Sequence, residues 1–422
     1  MHHFTYSNGV LHAEEVPLPQ IAAEVGTPFY CYSSATMARH YAVFRDAFAG
    51  MDVNVCYAMK ANSNLAVVRT LGALGAGADV VSGGELQIAL KAGIPASKIV
   101  FSGVGKSDAE IRLALACNVG QMNVESESEL LRISAAAAQL GKKVRIALRV
   151  NPDVVAGTHD KISTGRKDDK FGIDWTLAPA LYRKARELPG LAPTAIAVHI
   201  GSQITNLVPF EAAFLRVRDL AVILRGEGIP IDHLDLGGGL GVPYDHSAEP
   251  PPLPADYAAM VKRTLGELGC KLTFEPGRLI VGNAGVMVAR VIGTKNGTSR
   301  EFMILDAAMN DLIRPAMYGA RHEILPVKER PMAASVTPVD VVGPVCETTD
   351  RFAQDYRLPQ LGAGDLVAFM TAGAYGAVMS STYNARPLIP EVLVRGTSFA
   401  VVRRRPTFDE MIALEQLPPW LR

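Results

Sequence analysis

Between residue 50 and about residue 280 the chain alternates two hydrophobic rhythms. Short β-branched runs are separated by longer stretches in which apolar residues return every three or four positions, the signature of repeated βα units and a parallel sheet. Eight runs stand out: VNVCYAM (53–59), GADVV (77–81), KIVFSG (98–103), GQMNVES (120–126), KVRIALRVNP (143–152), TAIAVHIGS (194–202), IDHLDLGGG (231–239) and KLTFEPGR (271–278). Eight units predict an α/β fold of the TIM-type (β/α)8 barrel kind. A doubly wound sheet would be expected to carry Gly-x-Gly-x-x-Gly after its first strand, and the chain has none there.

Past about residue 284 the pattern changes to β-rich segments such as GVMVARVIGTK, EFMILDA and TSFAVVRRR, broken by glycine and proline. These predict a C-terminal all-β domain, sandwich-like or barrel-like. The strand-like beginning, with HHFTYSNGV and TPFYCYS, is expected to join it. The expected division is 35–283 for the barrel, and 1–34 with 284–422 for the β domain. The polar stretch THDKISTGRKDDKFGID (158–174) is long for a barrel connection and is expected to cover the mouth of a site.

Lys60, Ser82, Arg149, His199, the Gly237–Gly239 run and Glu275 all fall at or just beyond the C-terminal ends of different runs. That is the face on which barrel enzymes build their sites. Each has a bland reading by itself: a lysine covering apolar surface with its stem, a capping serine, a core histidine, a tight turn. Their coincidence on one face predicts one pocket.

Composition narrows the occupant. With 422 residues and 49% hydrophobic content, a large core is available, and 42 basic residues balance 42 acidic ones. No net field favours nucleic acid or an anionic membrane, so a small molecule is the expected partner. The five cysteines are scattered and never form Cys-x-x-Cys, which predicts neither a metal site nor a disulfide framework and fits a reducing cytoplasm. No run of about 18 apolar residues suggests a membrane span or export signal.

A nucleophilic lysine such as Lys60 makes imines, either with a substrate or with pyridoxal phosphate. Pyridoxal phosphate also demands phosphate donors, a partner for its pyridine nitrogen and something packed against its ring. DLGGGLG (235–241) and EPGR (275–278) offer two glycine cradles at adjacent strand ends, Glu275 a ring acid, His199 a stacking group, and Ser202 a further phosphate donor. A substrate imine would leave the second cradle and the ring acid unexplained.

YAMKAN, ADVVSGGEL, STGRKDDKFGI, HIGSQ, LDLGGGLG, FEPGR, MNDLIRPAMYGARHEI, GPVCETTD and GAYGAVMSSTYNARP occur in this order along nearly the whole chain. This ordered set resembles the pyridoxal-phosphate enzymes with an alanine-racemase-like barrel, and most closely the diaminopimelate decarboxylases. The resemblance implies that Lys60 holds the cofactor covalently, His199 stacks on its ring and Glu275 faces its nitrogen. It implies that Asp79 and Arg149 support them, and that Gly237, Gly238, Gly239, Ser202, Glu275, Pro276, Gly277, Arg278 and Tyr375 hold the cofactor and its phosphate. It further implies a head-to-tail homodimer in which Cys346, the proton donor, and Glu347 enter the partner's site.

The substrate implied is meso-2,6-diaminopimelate, converted to L-lysine and carbon dioxide in the last step of lysine biosynthesis. Its distal end carries a carboxylate and an ammonium. Arg278 and Arg314, with Tyr318 and Tyr375, suit the first through paired hydrogen bonds, and Glu347 the second. Decarboxylation of ornithine, arginine or carboxynorspermidine is the alternative, as are racemisation and a non-catalytic binding role.

Overall fold

The computed structural model describes residues 2–155, 170–244, 250–331 and 335–421. It divides into two compact units, Met37–Val281 and Met1–Thr36 with Gly282–Arg422. Residues 158–169 of the expected cover lie outside the described residues.

In the first unit all eight runs form strands: β1 (Val53–Ala58), β2 (Gly77–Val80), β3 (Ile99–Phe101), β4 (Gln121–Val124), β5 (Val144–Asn151), β6 (Leu191–Ala197), β7 (His233–Asp235) and β8 (Lys271–Phe274). Successive strands pair in parallel, and Leu272–Phe274 of β8 pair with Val53–Val55 of β1, closing the cylinder. The α/β barrel expected from the hydrophobic rhythm is present. β6 begins at Leu191, ahead of the expected Thr194, and its pairing with β5 is irregular between Ala192 and Ala195. Pro193 in that interval has no N–H to give the ladder, and so masks the strand's true start in the sequence.

The helices start where side chains satisfy their first N–H groups. Ser82, Ser107 and Ser126 cap the helices Gly83–Lys91, Asp108–Cys117 and Glu127–Gln139 by accepting from Glu85, Glu110 and Glu129 N–H. Ser82, expected at the pocket, therefore has a structural task as a helix cap. Strand alternation then sets direction. Phe274 packs among Phe44, Phe48 and Tyr257, with its ring centroid 4.4 Å from that of Phe48. Glu275, the next residue, takes the opposite side.

The second unit is built on the strand Gly285–Asn296, which pairs antiparallel with Phe29–Ser33, Glu301–Leu305 and Leu366–Phe369. Phe29–Ser33 also pairs in parallel with Glu391–Arg395. An N-terminal strand thus lies between two strands from the C-terminal half, as its apolar sequence led us to expect. Its buried Phe29 and Cys31 share a core with Leu11, Val286, Val288, Ala368 and Val392.

Candidate active site

Lys60 sits in the 3-10 turn Met59–Ala61 directly after β1. The turn is pinned by the Tyr57 hydroxyl, which donates to the Asn62 carbonyl at 2.8 Å. Lys60 Nζ lies 3.4 Å from Oδ2 of Asp79 on β2; the lysine side chain is 37% exposed and the aspartate fully buried. Asp79 Oδ1 has no hydrogen-bond partner among the described residues. A carboxylate so enclosed depends on the cation beside it, and its second oxygen is buried without a donor among the described residues.

His199 follows β6. Its Nδ1 accepts the Gly238 N–H at 3.2 Å, so the proton of the neutral ring belongs on Nε2. Burial, with the charges of Lys60 and Arg149, holds its pKa well below the usual histidine value, and the ring is neutral at neutral pH. Arg149 on β5 gives one nitrogen to Glu125 Oε1 at 2.8 Å and another to the His199 carbonyl at 3.4 Å. Glu125 is held in turn by its N–H to Glu129, whose other oxygen meets buried Lys106 Nζ at 2.7 Å. Lys106 also donates to the Gly103 and Asn123 carbonyls, so the loops after β3 and β4 are tied to each other and, through Glu125, to Arg149 on β5.

The glycines are required by contact. A Cβ on Gly238 would stand 2.3 Å from the Glu275 carbonyl, one on Gly239 2.5 Å from the Gly201 carbonyl, and one on Gly277 2.9 Å from Ala61 Cβ beside the lysine turn. Gly237 and Gly239 have φ of +64° and +116°, where a side chain would be strained. The Gly237 and Gly238 N–H groups are already given to Asp235 and His199. Among the described residues, those of Gly239 and Gly277 are not so engaged and are the ones left for an anion. Arg278, buried at the start of the helix Arg278–Val281, donates to Ser202 Oγ at 3.1 Å and to the Tyr244 hydroxyl.

Glu275 lies just beyond β8, with Ser102 Oγ donating to it at 3.4 Å. Asp235 ends β7 and accepts from Gln121 and Asn123 side-chain amides at 3.1 and 2.9 Å. Burial first, then the carboxylates of Asp235 and Asp79, push Glu275 well above the usual carboxylate range; burial likewise lifts Asp235 to about 6. Both shifts mark a group kept from water among like charges.

The expected residues of the second unit form groups of their own. Arg314, buried on the helix Arg314–Tyr318, places its guanidinium 5.8 Å from the Tyr318 ring centroid. It is braced by Nε donation to His322 Nε2 at 3.3 Å, and His322 Nδ1 in turn donates to the Met370 carbonyl. Cys346 and Glu347 are exposed on a turn held by Asp350, which accepts from Val345 and Met309 N–H. The Cys346 N–H donates to Asn384 Oδ1. Tyr375 follows the strand Leu366–Phe369 with a φ of +56°.

Ser102, Gln121, Asn123, Glu125 and Asp235 were absent from the expected site. Their signal was there to read: polar side chains at alternate, inward positions of otherwise apolar strands, where burial demands a partner. Tyr244 and His322 gave no comparable signal, since both lie in irregular segments.

The profile "pyridoxal-dependent decarboxylase, pyridoxal binding domain" matches residues 34–282. The diaminopimelate decarboxylase of Pseudomonas aeruginosa is 50% identical over 99% of both chains. The crystal structure of the M. jannaschii diaminopimelate decarboxylase, in complex with L-lysine, is 36% identical and superposes with a TM-score of 0.94 over 100% of each chain. That of Helicobacter pylori, also with L-lysine, is 40% identical with a TM-score of 0.90, covering 94% of this chain and 98% of the other. Fold and sequence agree over nearly the full length, and the chain belongs to the diaminopimelate decarboxylase family of pyridoxal-dependent decarboxylases.

Proposed function

We propose that the chain converts meso-2,6-diaminopimelate to L-lysine and carbon dioxide with pyridoxal 5'-phosphate as cofactor, the closing step of lysine biosynthesis. The observation that carries this reading is the Lys60–Asp79 pair, an amine 3.4 Å from a buried carboxylate with an orphaned oxygen, on the same barrel face as two cradles that a Cβ would fill. These residues fit the cofactor: an amine to hold it, enclosed backbone N–H groups for its phosphate, and a buried acid for its ring nitrogen. When bound, it supplies an electron sink for the pair left at Cα as carbon dioxide departs.

The chain's own residues do the rest. Lys60 provides the amine, kept beside Asp79. His199, neutral and anchored by the Gly238 N–H, presents a flat uncharged face for stacking. Arg149, locked by Glu125, holds the His199 loop through its carbonyl. Glu275 keeps a proton for the ring nitrogen. Gly239 and Gly277 offer N–H groups to the phosphate, supported by Gly237, Gly238, Pro276, Ser202, Arg278 and Tyr375. Arg278 and Arg314, with Tyr318 and Tyr375, bind the distal carboxylate of the substrate, and Glu347 its ammonium. Assay of carbon dioxide and lysine from meso-diaminopimelate, beside ornithine and arginine, tests the assignment. Turnover of ornithine at a comparable kcat/KM would refute the role of the arginines.

The same reading makes the enzyme a cytoplasmic homodimer in which Cys346 and Glu347 act in the partner's site, with the Cys346 thiol returning a proton to Cα. Both side chains are exposed on their turn, and all five cysteines are free thiols. Mixing inactive Lys60→Ala with inactive Cys346→Ala protein should restore activity that neither shows alone, because one site of each mixed dimer is then intact. A mixture as inactive as its components, with subunit exchange demonstrated by labelled protein, would place Cys346 in its own chain's site or in none.

A further inference from the structure

Beneath the cradle lies a polar layer of which the reaction as described uses only Asp79 and Glu275. It draws Asp79 from β2, Ser102 from just after β3, Gln121 and Asn123 from β4, Asp235 from β7 and Glu275 from just after β8, each at most 7% exposed. Hydrogen bonds make a continuous path through it. Ser102 Oγ donates to Glu275 Oε1 at 3.4 Å, and Asn123 Nδ2 donates both to Ser102 Oγ at 3.1 Å and to Asp235 Oδ2 at 2.9 Å. Gln121 Nε2 adds a second donor to Asp235 Oδ2 at 3.1 Å and steadies Asn123 through its Oδ1 at 2.8 Å. The Gly237 N–H takes the other Asp235 oxygen at 3.1 Å.

Asp235 thus accepts three donors, which is the environment of a carboxylate and not of an acid. Glu275 has one donor, the Ser102 hydroxyl at 3.4 Å, and is joined to Asp235 through Ser102 and Asn123. Three buried carboxyls, those of Asp79, Asp235 and Glu275, share the ammonium of Lys60, so a proton belongs on one of them; Lys60 pairs with Asp79, and the donor count leaves the proton to Glu275. The other groups facing Glu275 are the Asp79 carboxylate, the Lys60 ammonium and the buried Cys56 thiol of β1. Of these only Lys60 opposes protonation, and it is already paired with Asp79.

We propose that Asp235 is a positioning residue for Glu275: fixed by Gln121, Asn123 and the Gly237 N–H, it compels Glu275 to hold a proton before any cofactor arrives and sets the direction of its carboxyl. This deepens the reading of Glu275 given above and rests on it for the second half of the event. With cofactor bound, the Glu275 carboxyl facing the ring nitrogen would already hold the proton to be given to it, and the carboxylate left behind would pair with it. The pair needs no proton from solvent. Asp235 also carries the Gly237 turn, so the ring acid and the cradle are set by a single side chain.

The carbonyl stretch of a protonated carboxyl, followed by infrared spectroscopy in the full-length protein before and after loading with pyridoxal phosphate, tests this. The unloaded wild type should show a buried acid band at neutral pH that Glu275→Gln abolishes. In Asp235→Asn the midpoint at which the band titrates should fall by about one pH unit or more, since a like charge has been removed. Ser102→Ala leaves the Gly237 turn untouched and should move the band to the frequency of a less hydrogen-bonded acid, which keeps the test open if Asp235→Asn folds poorly. An Asp235→Asn midpoint equal to that of wild type, or a band unmoved in Ser102→Ala, overturns the proposal. A band that is present but unchanged on loading keeps the Asp235–Glu275 pair and overturns the placement of Glu275 at the ring nitrogen.

Discussion

Lys60→Ala protein should lose the visible absorbance of lysine-bound cofactor and, with it, activity by on the order of 10⁴-fold, the upper range for loss of a positioned proton-transferring group. The lysine also neutralises Asp79, so the alanine variant leaves a buried carboxylate without its cation and should unfold more readily as well. The two effects can be parted. Lys60→Arg restores a cation beside Asp79 but not a primary amine. Its stability should recover towards wild type, measured by denaturant titration, while absorbance and turnover stay lost. Recovery of turnover in Lys60→Arg, or cofactor absorbance persisting in Lys60→Ala, would show that the amine is not where the chemistry is done.

The second large effect is expected at Glu275. Glutamine has the same shape but cannot release a proton to the ring nitrogen, and kcat should fall by about 10²- to 10³-fold, the usual cost of losing one preorganised electrostatic contact. KM should change far less, because the group acts on charge that develops after binding. Stability moves the other way. Because the folded-state pKa of Glu275 is raised, its favourable contribution is complete below the unfolded value near 4.5 and is lost as pH climbs through the folded value. Glutamine does not titrate. Without cofactor, the melting temperature of Glu275→Gln relative to wild type should therefore rise as pH climbs above the unfolded value near 4.5. A difference that stays flat or shrinks as pH rises would mean Glu275 is already ionised in the folded chain. An enzyme slowed and stabilised by one substitution is what a strained functional group predicts.

Much of this was legible in the chain because barrels write themselves in a simple code. Eight apolar runs, six of them ending in a residue with chemistry, left few alternatives for the fold, and it was their coincidence on one face that singled out Lys60, His199 and Glu275. What the rhythm could not reveal was how these side chains are held. Asp235 looked like part of a glycine turn, and its three donors come from a neighbouring turn and from β4, on the far side of the cylinder in sequence. Ser82 showed a further limit of position: its hydroxyl is engaged as a helix cap, since capping residues and site residues crowd the same loops. Gly237 and Gly238 were read as phosphate donors, yet their N–H groups serve Asp235 and His199, a division that only coordinates can disclose.

The strand Phe29–Ser33 pairs with Gly285–Asn296, some 250 residues later in the chain, and with Glu391–Arg395 later still. During synthesis its edges must wait while the whole barrel between them is made, since chain segments emerge at only about 5–20 residues per second. Over that interval FYCYS is an apolar strand with two open sides, the kind of segment that seeks any available edge. The barrel between has its own closed hydrogen-bond ladder and can fold without it. The β domain is therefore the late and vulnerable half of this protein's assembly, and poor yields of variants in the sheet around Phe29–Ser33 should trace to misassembly on the ribosome and not to any loss of catalytic parts.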